Sequence, residues 1–308
     1  MKDFINLIDF TGPQLSGLIE RALKDKALFR AHKLPQIKPP KVLAMIFEKP
    51  SLRTRVSFET AMTDLGGHAI YLTQVDVGLP SREPVQDMAR TLSRMCDGIM
   101  ARTFSHQFVE DLGKHASVPV VNALTDYSHP CQAMADVMTA REIFGDLKGR
   151  TLAFVGDGNN VARSLATACA KMGMKFILAC PDGYELEGSF VEMLRDKCGQ
   201  SCYTEINDPD AAVATADVVY TDTWVSMGQE TEKAQRVEDF QGFQINRQLL
   251  EAAPKHAVVM HCLPAYRGME ISDEAFELHA GTIFEEAENR LHFQRSLLAV
   301  LMGEGGIR

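Results

Sequence analysis

The sequence predicts an α/β protein of two similar-sized domains, each a mostly parallel sheet flanked by helices. Short apolar runs alternate with longer stretches whose apolar residues recur at helical spacing, the pattern of strands joined by helical crossovers. That alternation resets at Lys148-Gly149-Arg150 and then repeats, which puts the domains at 1–145 and 146–308. A last helical stretch at about 287–302 has no strand behind it and is expected to cross back onto the first domain.

In chain order, Gly12-Pro13 opens a helix running to about Ala31, and the proline-rich 34–40 leads into a strand at Val42–Phe47. Ser51 stands where a helix N-cap belongs. Phe58, Ala61, Met62 and Leu65 form the stripe of the helix behind it, and Gly66-Gly67 ends it. A strand at 69–72, a polar loop at 73–83, a helix from Pro84 to Met95 and a strand at 98–101 ending on Arg102 come next. The helix 105–115, the strand 118–121 and the helix 129–144 complete the first domain. The second repeats the pattern, with strands at 151–155, 176–180, 203–206, 218–221 and 258–261, and a helix to Met172 after the first of them.

Of 308 residues, 45% are hydrophobic and 24% charged, an ordinary globular balance. The net charge of −9 argues against nucleic acid or a membrane surface as partner. No apolar run approaches the roughly eighteen residues of a membrane span, and the first residues lack signal or transit character. Seven scattered cysteines suit a reducing compartment, so a cytoplasmic protein is expected. Cys198 and Cys202 have no second pair in metal-ligand spacing, and no metal is expected.

Ligands of open parallel sheets collect beyond the carboxyl ends of the strands. Arg53 and Arg55 lie in the first turn of a helix, where the macrodipole disfavours cations unless an anion joins them. Backbone N–H groups, Ser51, Thr54 and both guanidiniums would suit a phosphate. Arg102 ends another strand. His129-Pro130-Cys131-Gln132 opens a helix with a donor and an amide on one face. Gly156 to Val161 has the outline of a dinucleotide turn, but Val161 replaces the last glycine of G-x-G-x-x-G. Asp222 follows a strand and begins a loop through Ser226-Met227-Gly228, where a carboxylate could anchor an ammonium. His261-Cys262-Leu263-Pro264 follows another strand; its thiol could be a nucleophile or a lining residue.

Together these segments resemble, in order and over essentially the whole chain, the aspartate/ornithine carbamoyltransferase family, on its ornithine side. The resemblance implies a carbamoyl-phosphate domain followed by an ornithine domain that close on each other, in a homotrimer, with no cofactor. It implies that Ser51, Leu52, Arg53, Thr54 and Arg102 hold the phosphate. His129, Gln132 and Arg290, with the backbone of Cys262 and Leu263, then hold the carbamoyl group, Pro130 and Cys131 belong to the same carbamoyl-phosphate site, and Asn160, Asp222, Ser226 and Met227 hold L-ornithine. Arg102, His129, Gln132, Asp222, Cys262 and Arg290 are the implied catalytic set. Leu52 stands where many members have threonine. Glycine at Gly78 stands where many place a glutamine reaching a neighbouring subunit, and Ser81 or Arg82 is the nearest substitute. Rival readings are a carbamoyltransferase for putrescine or an N-acylornithine, a nicotinamide-dependent dehydrogenase on Gly156–Val161, and an inactive binding protein on the same scaffold.

Overall fold

The structure is a computed structural model that describes residues 2–78, 83–226 and 228–303. Contacts divide the chain into one unit of residues 1–138 and 289–308 and a second of 139–288.

The first unit contains α1 (Gly12–Arg30), β1 (Val42–Phe47), α2 (Leu52–Asp64), β2 (His68–Thr73), α3 (Gln74–Val77), α4 (Val85–Met95), β3 (Gly98–Arg102), α5 (His106–His115), β4 (Val120–Leu124) and the first turns of α6 (Pro130–Phe144). Its four strands are parallel in the order β2-β1-β3-β4. Chain direction along the sheet therefore reverses between β1 and β3, and the loops after those two strands flank the switch point where ligands of such sheets bind. These are the loops of Ser51 and Arg102. Ile46, Ile99, Ala101, Val109, Leu112 and Val120 are among the wholly buried residues of one face's core.

The second unit contains β5 (Thr151–Val155), α7 (Asn160–Lys171), β6 (Lys175–Ala179), α8 (Gly188–Cys198), β7 (Tyr203–Ile206), α9 (Pro209–Val213), β8 (Val218–Thr221), α10 (Lys233–Asp239), α11 (Arg247–Ala252), β9 (Val258–His261) and the first half of α12 (Asp273–Met302). Its strands are parallel in the order β7-β6-β5-β8-β9. Here the switch lies between β5 and β8, so the loops of Asn160 and Asp222 flank it. The C-terminal helix does return to the first unit, since its residues from Asn289 onward belong there.

Three elements differ from the sequence expectation. The stretch read as a polar loop after Thr73 begins as α3, because Thr73 and Asp76 form a reciprocal capping box and Gly78 closes the turn at φ 67°. That left-handed conformation favours glycine; residues 79–82, with Ser81 and Arg82, lie outside the described residues. β4 starts later than expected because Pro119 has no N–H for the ladder. It extends through Asn122, whose buried side-chain amide donates to Ile5 O and Ser128 Oγ. α12 begins at Asp273 rather than near 287. Ser272 Oγ accepts the Ala275 N–H at 3.2 Å, acidic Asp273 and Glu274 fill the first turn, and Gly281 is carried within the helix.

Candidate functional site

In the first unit the anion-type residues converge. Ser51 caps α2 by accepting the Thr54 N–H at 3.4 Å. Helix geometry gives first-turn N–H groups no acceptor inside the helix, and the Leu52 side chain is 75% exposed. What Leu52 can offer is therefore backbone. Thr54 is fully buried, and its Oγ1 accepts from Arg102 Nη1 at 3.4 Å and Arg290 Nη2 at 3.2 Å. With its lone pairs so used, the hydroxyl is left to donate its own hydrogen. Arg290 Nη1 donates to Gln132 Oε1 at 2.6 Å, and Gln132 Nε2 donates to Asp136 Oδ1 at 2.7 Å. Gln294, with its amide turned as its neighbours require, accepts from Arg290 Nε and Nη2 at 3.2 Å each.

Arg55 does not join this cluster. It pairs with Glu59 at 2.9 Å and lies over the Tyr71 ring, on the exposed side of α2. A shift of two residues along a helix turns a side chain by about 200°, which is why Arg53 and Arg55 cannot share one ligand. Pro130 and Cys131 are buried at the start of α6. The Cys131 thiol donates to Asn122 O at 3.5 Å, and burial pushes its pKa up to about 12. It is a packed thiol.

His129 sits among these cations. Burial first, then the charges of Arg290, Arg102 and Arg53, hold its imidazole well below the usual histidine range. A neutral ring offers one N–H donor without adding a fourth charge. Because the folded pKa is depressed, the unfolded chain binds the proton more readily, so stability present above about pH 6.5 is lost as the pH falls below it. His129→Gln should flatten this slope. Melting temperatures of the two proteins from pH 7.5 to 5 check it, and parallel curves would contradict a neutral buried His129.

In the second unit three loops meet at Asp222, which is 8% exposed. Its Oδ1 accepts from Thr223 N at 2.7 Å and from Cys262 Sγ at 3.0 Å, and its Oδ2 accepts from Asn159 Nδ2 at 2.9 Å. A thiol that donates to a carboxylate is protonated, so this geometry favours Cys262 as a lining donor over a nucleophile. His261 is fully buried. Its Nδ1 accepts the Leu263 N–H at 2.9 Å, which assigns the proton to Nε2, facing Glu270 Oε1 at 3.1 Å. That contact holds Leu263 at φ 59°. With its N–H committed, Leu263 can offer a ligand only its carbonyl.

Asp222, His261 and Cys262 carry metal-ligand atom types within 4.8 Å of one another. Both His261 nitrogens are already hydrogen-bonded and the thiol is directed at Asp222, so the cluster is satisfied without an ion. Asn160 is the first residue of α7 and half-buried, as is Ser226, whose N–H is held by Gln229 Oε1 at 3.0 Å. Met227 lies outside the described residues. The Gly156–Val161 turn does follow a central strand and open a helix, as in dinucleotide sites. However, Asn159 Oδ1 takes the N–H groups of Val161 and Ala162, donors that a pyrophosphate would need.

Several residues in these networks carried no sequence signal. Asp136 and Gln294 are polar positions on helices that read as core or surface by periodicity. Arg236, from α10, donates through Nη1 to Asp157 Oδ2 at 2.8 Å and to Trp224 O at 3.1 Å, and through Nε to Glu232 Oε2 at 2.9 Å. One buried guanidinium thus ties both ends of the loop carrying Ser226 to the turn before α7. Asn159 had a visible signal, its place as a helix cap, but only half of its role follows from that.

A cationic pocket on one parallel α/β unit and a caged carboxylate on another define a protein with separate places for an anion and a cation. Residues 2–142 match the family described as aspartate/ornithine carbamoyltransferase, carbamoyl-P binding domain, and residues 148–301 its Asp/Orn binding domain. A curated ornithine carbamoyltransferase of Pyrococcus abyssi is 46% identical over 98% of this chain and 96% of that protein. The solved ornithine carbamoyltransferase of Pyrococcus furiosus superposes with a TM-score of 0.93 at 45% identity, covering 100% of this chain and 98% of that one. An anabolic ornithine carbamoyltransferase structure from Campylobacter jejuni gives 0.91 at 38% identity, covering 98% and 99%. The chain belongs to the aspartate/ornithine carbamoyltransferase family. No helix among the described residues is long and apolar enough to cross a membrane.

Proposed function

We propose that this protein transfers the carbamoyl group of carbamoyl phosphate to the side-chain amine of L-ornithine, giving L-citrulline and phosphate, as a biosynthetic step. The observation carrying the donor half is the meeting of Arg53, Arg102 and Arg290 around a neutral His129. A dianionic phosphate accounts for that much positive charge in one buried place. Arg53, Arg102, Ser51, Thr54 and the N-terminal backbone at Leu52 bind the phosphate. His129, Gln132 and Arg290 stabilise negative charge growing on the carbonyl oxygen. The Leu263 carbonyl accepts from the carbamoyl NH2.

The acceptor half rests on Asp222, which takes the α-ammonium of ornithine, with Asn160, Ser226 and Met227 completing the site for its α-amine and α-carboxylate. The neutral δ-amine attacks the carbonyl carbon. The new N–C bond forms, the C–O bond to phosphate breaks with its electrons leaving on phosphate, and the proton shed by the amine passes to the departing phosphate, which leaves as hydrogen phosphate. Carbamoyl phosphate is already activated, so no protein nucleophile is required.

Citrulline formation at equal carbamoyl phosphate tests this reading. Ornithine should be the preferred acceptor, putrescine poor because it lacks the α-carboxylate, and aspartate inert because its second anion faces Asp222. Faster turnover of putrescine or aspartate would overturn the acceptor assignment.

We also propose that the chain works as a homotrimer in the cytoplasm. Leu52, Val56 and Val75 expose apolar side chains around the edge strand β2, a surface suited to another copy. A monomer mass by light scattering would contradict the assembly.

A further inference from the structure

We infer that Asn159, not itself a ligand of either substrate, is the positioning residue that aims Asp222 at the acceptor. The inference rests on the reading of Asp222 as the ammonium partner and adds how that carboxylate is set.

The orientation of the Asn159 amide is fixed by chemistry. Its Oδ1 accepts two backbone donors, Val161 N at 2.9 Å and Ala162 N at 3.0 Å, so that end must be oxygen. The other end is then NH2, and it lies 2.9 Å from Asp222 Oδ2. One side chain thus caps α7 and grips a carboxylate from the loop after β8. The turn beneath it has little room to shift. Gly158 N donates to Tyr184 O at 2.8 Å, and a Cβ on Gly158 would lie 2.7 Å from backbone atoms of Tyr184 and Glu185.

The remaining bonds of Asp222 show what this grip does. A carboxylate offers about four lone-pair directions. Thr223 N and Cys262 Sγ fill two on Oδ1, and Asn159 fills one on Oδ2. Among the described residues nothing takes the other direction on Oδ2, which admits a single ammonium hydrogen from a defined side. Without Asn159, Oδ2 has two open directions and no tether, and the carboxylate can swing about its held Oδ1. The consequence falls on acceptor binding, since Arg53, Arg102, His129, Gln132 and Arg290, which meet the charge of the carbamoyl donor, belong to the other unit, and the bonds of the Asn159 side chain go, among the described residues, only to α7 and Asp222.

Two variants separate this role from capping. Asp and Ser are both good N-caps, so Asn159→Asp and Asn159→Ser keep α7 while removing the amide NH2 that reaches Asp222; the serine hydroxyl is on a shorter side chain. Asn159→Asp also sets a carboxylate against Asp222. With ornithine as acceptor, Asn159→Ser should raise its KM about tenfold and Asn159→Asp about a hundredfold, as loss of a hydrogen bond to a charge and its replacement by repulsion imply. The KM for carbamoyl phosphate should stay within about twofold, the scatter expected where no contact to the donor is lost, and melting temperature within a few degrees. An ornithine KM within twofold of the parent in both variants, or an equal rise in both substrates' KM, would overturn the inference. If the parent makes no citrulline from ornithine, it is the reading of the acceptor that fails, whatever the variants do.

Discussion

Arg102→Leu is expected to lower kcat/KM for carbamoyl phosphate by about a hundredfold to a thousandfold, the effect of removing one preorganised donor from a buried anion site. The guanidinium is only 6% exposed and reaches Thr54 Oγ1, and its backbone is locked at the end of β3 by pairing with Phe47 and by the Glu48 N–H. Little can move in to replace it. Arg102→Lys should recover only part of the loss, because a point charge cannot reproduce the planar fork. The same substitution removes one of the charges that depress His129, so the imidazole of Arg102→Leu should titrate closer to the usual range. Steady-state kinetics and a histidine titration by NMR check both. Kinetic constants within a few-fold of the parent would remove Arg102 from the phosphate pocket.

Asp222→Asn should have a comparable effect on the other substrate. A neutral amide keeps an acceptor for Thr223 and Cys262 but loses the charge that faces the ammonium, and its NH2 would meet that of Asn159. Truncating one partner of a buried charge pair typically costs a hundredfold or more, so kcat/KM for ornithine should fall by about that factor. Carbamoyl phosphate binding, measured by calorimetry, should be nearly intact. Equal loss at both substrates would mean that Asp222 serves the fold rather than the acceptor.

Much of this was legible in the sequence because it is local. Ser51 as a cap, the strand before it and the stripe of Phe58, Ala61, Met62 and Leu65 all follow from spacing within a few residues. The strand-end rule then selects Arg102, Asp222 and Cys262 without any knowledge of strand order. What stayed hidden is what depends on distant partners or on side-chain direction. Arg55 reads like Arg53 until Glu59 and Tyr71 claim it. Arg236 reaches Asp157 across 79 positions, and no periodicity marks it. Asn159 announces one of its two tasks. The expected stretch of 287–302 covers only the later part of α12, whose cap at Ser272 lies well upstream and whose Gly281 has open space around it.

Direct transfer of the carbamoyl group to ornithine requires Cys262 to serve as a donor to Asp222 and not as a carrier. Carbamoyl phosphate labelled at its carbonyl carbon, mixed with the protein and ornithine and quenched within the first turnovers, tests it most directly. One labelled citrulline per phosphate released is expected, with no label on the protein. Label retained covalently at Cys262, or phosphate released without labelled citrulline, would contradict it.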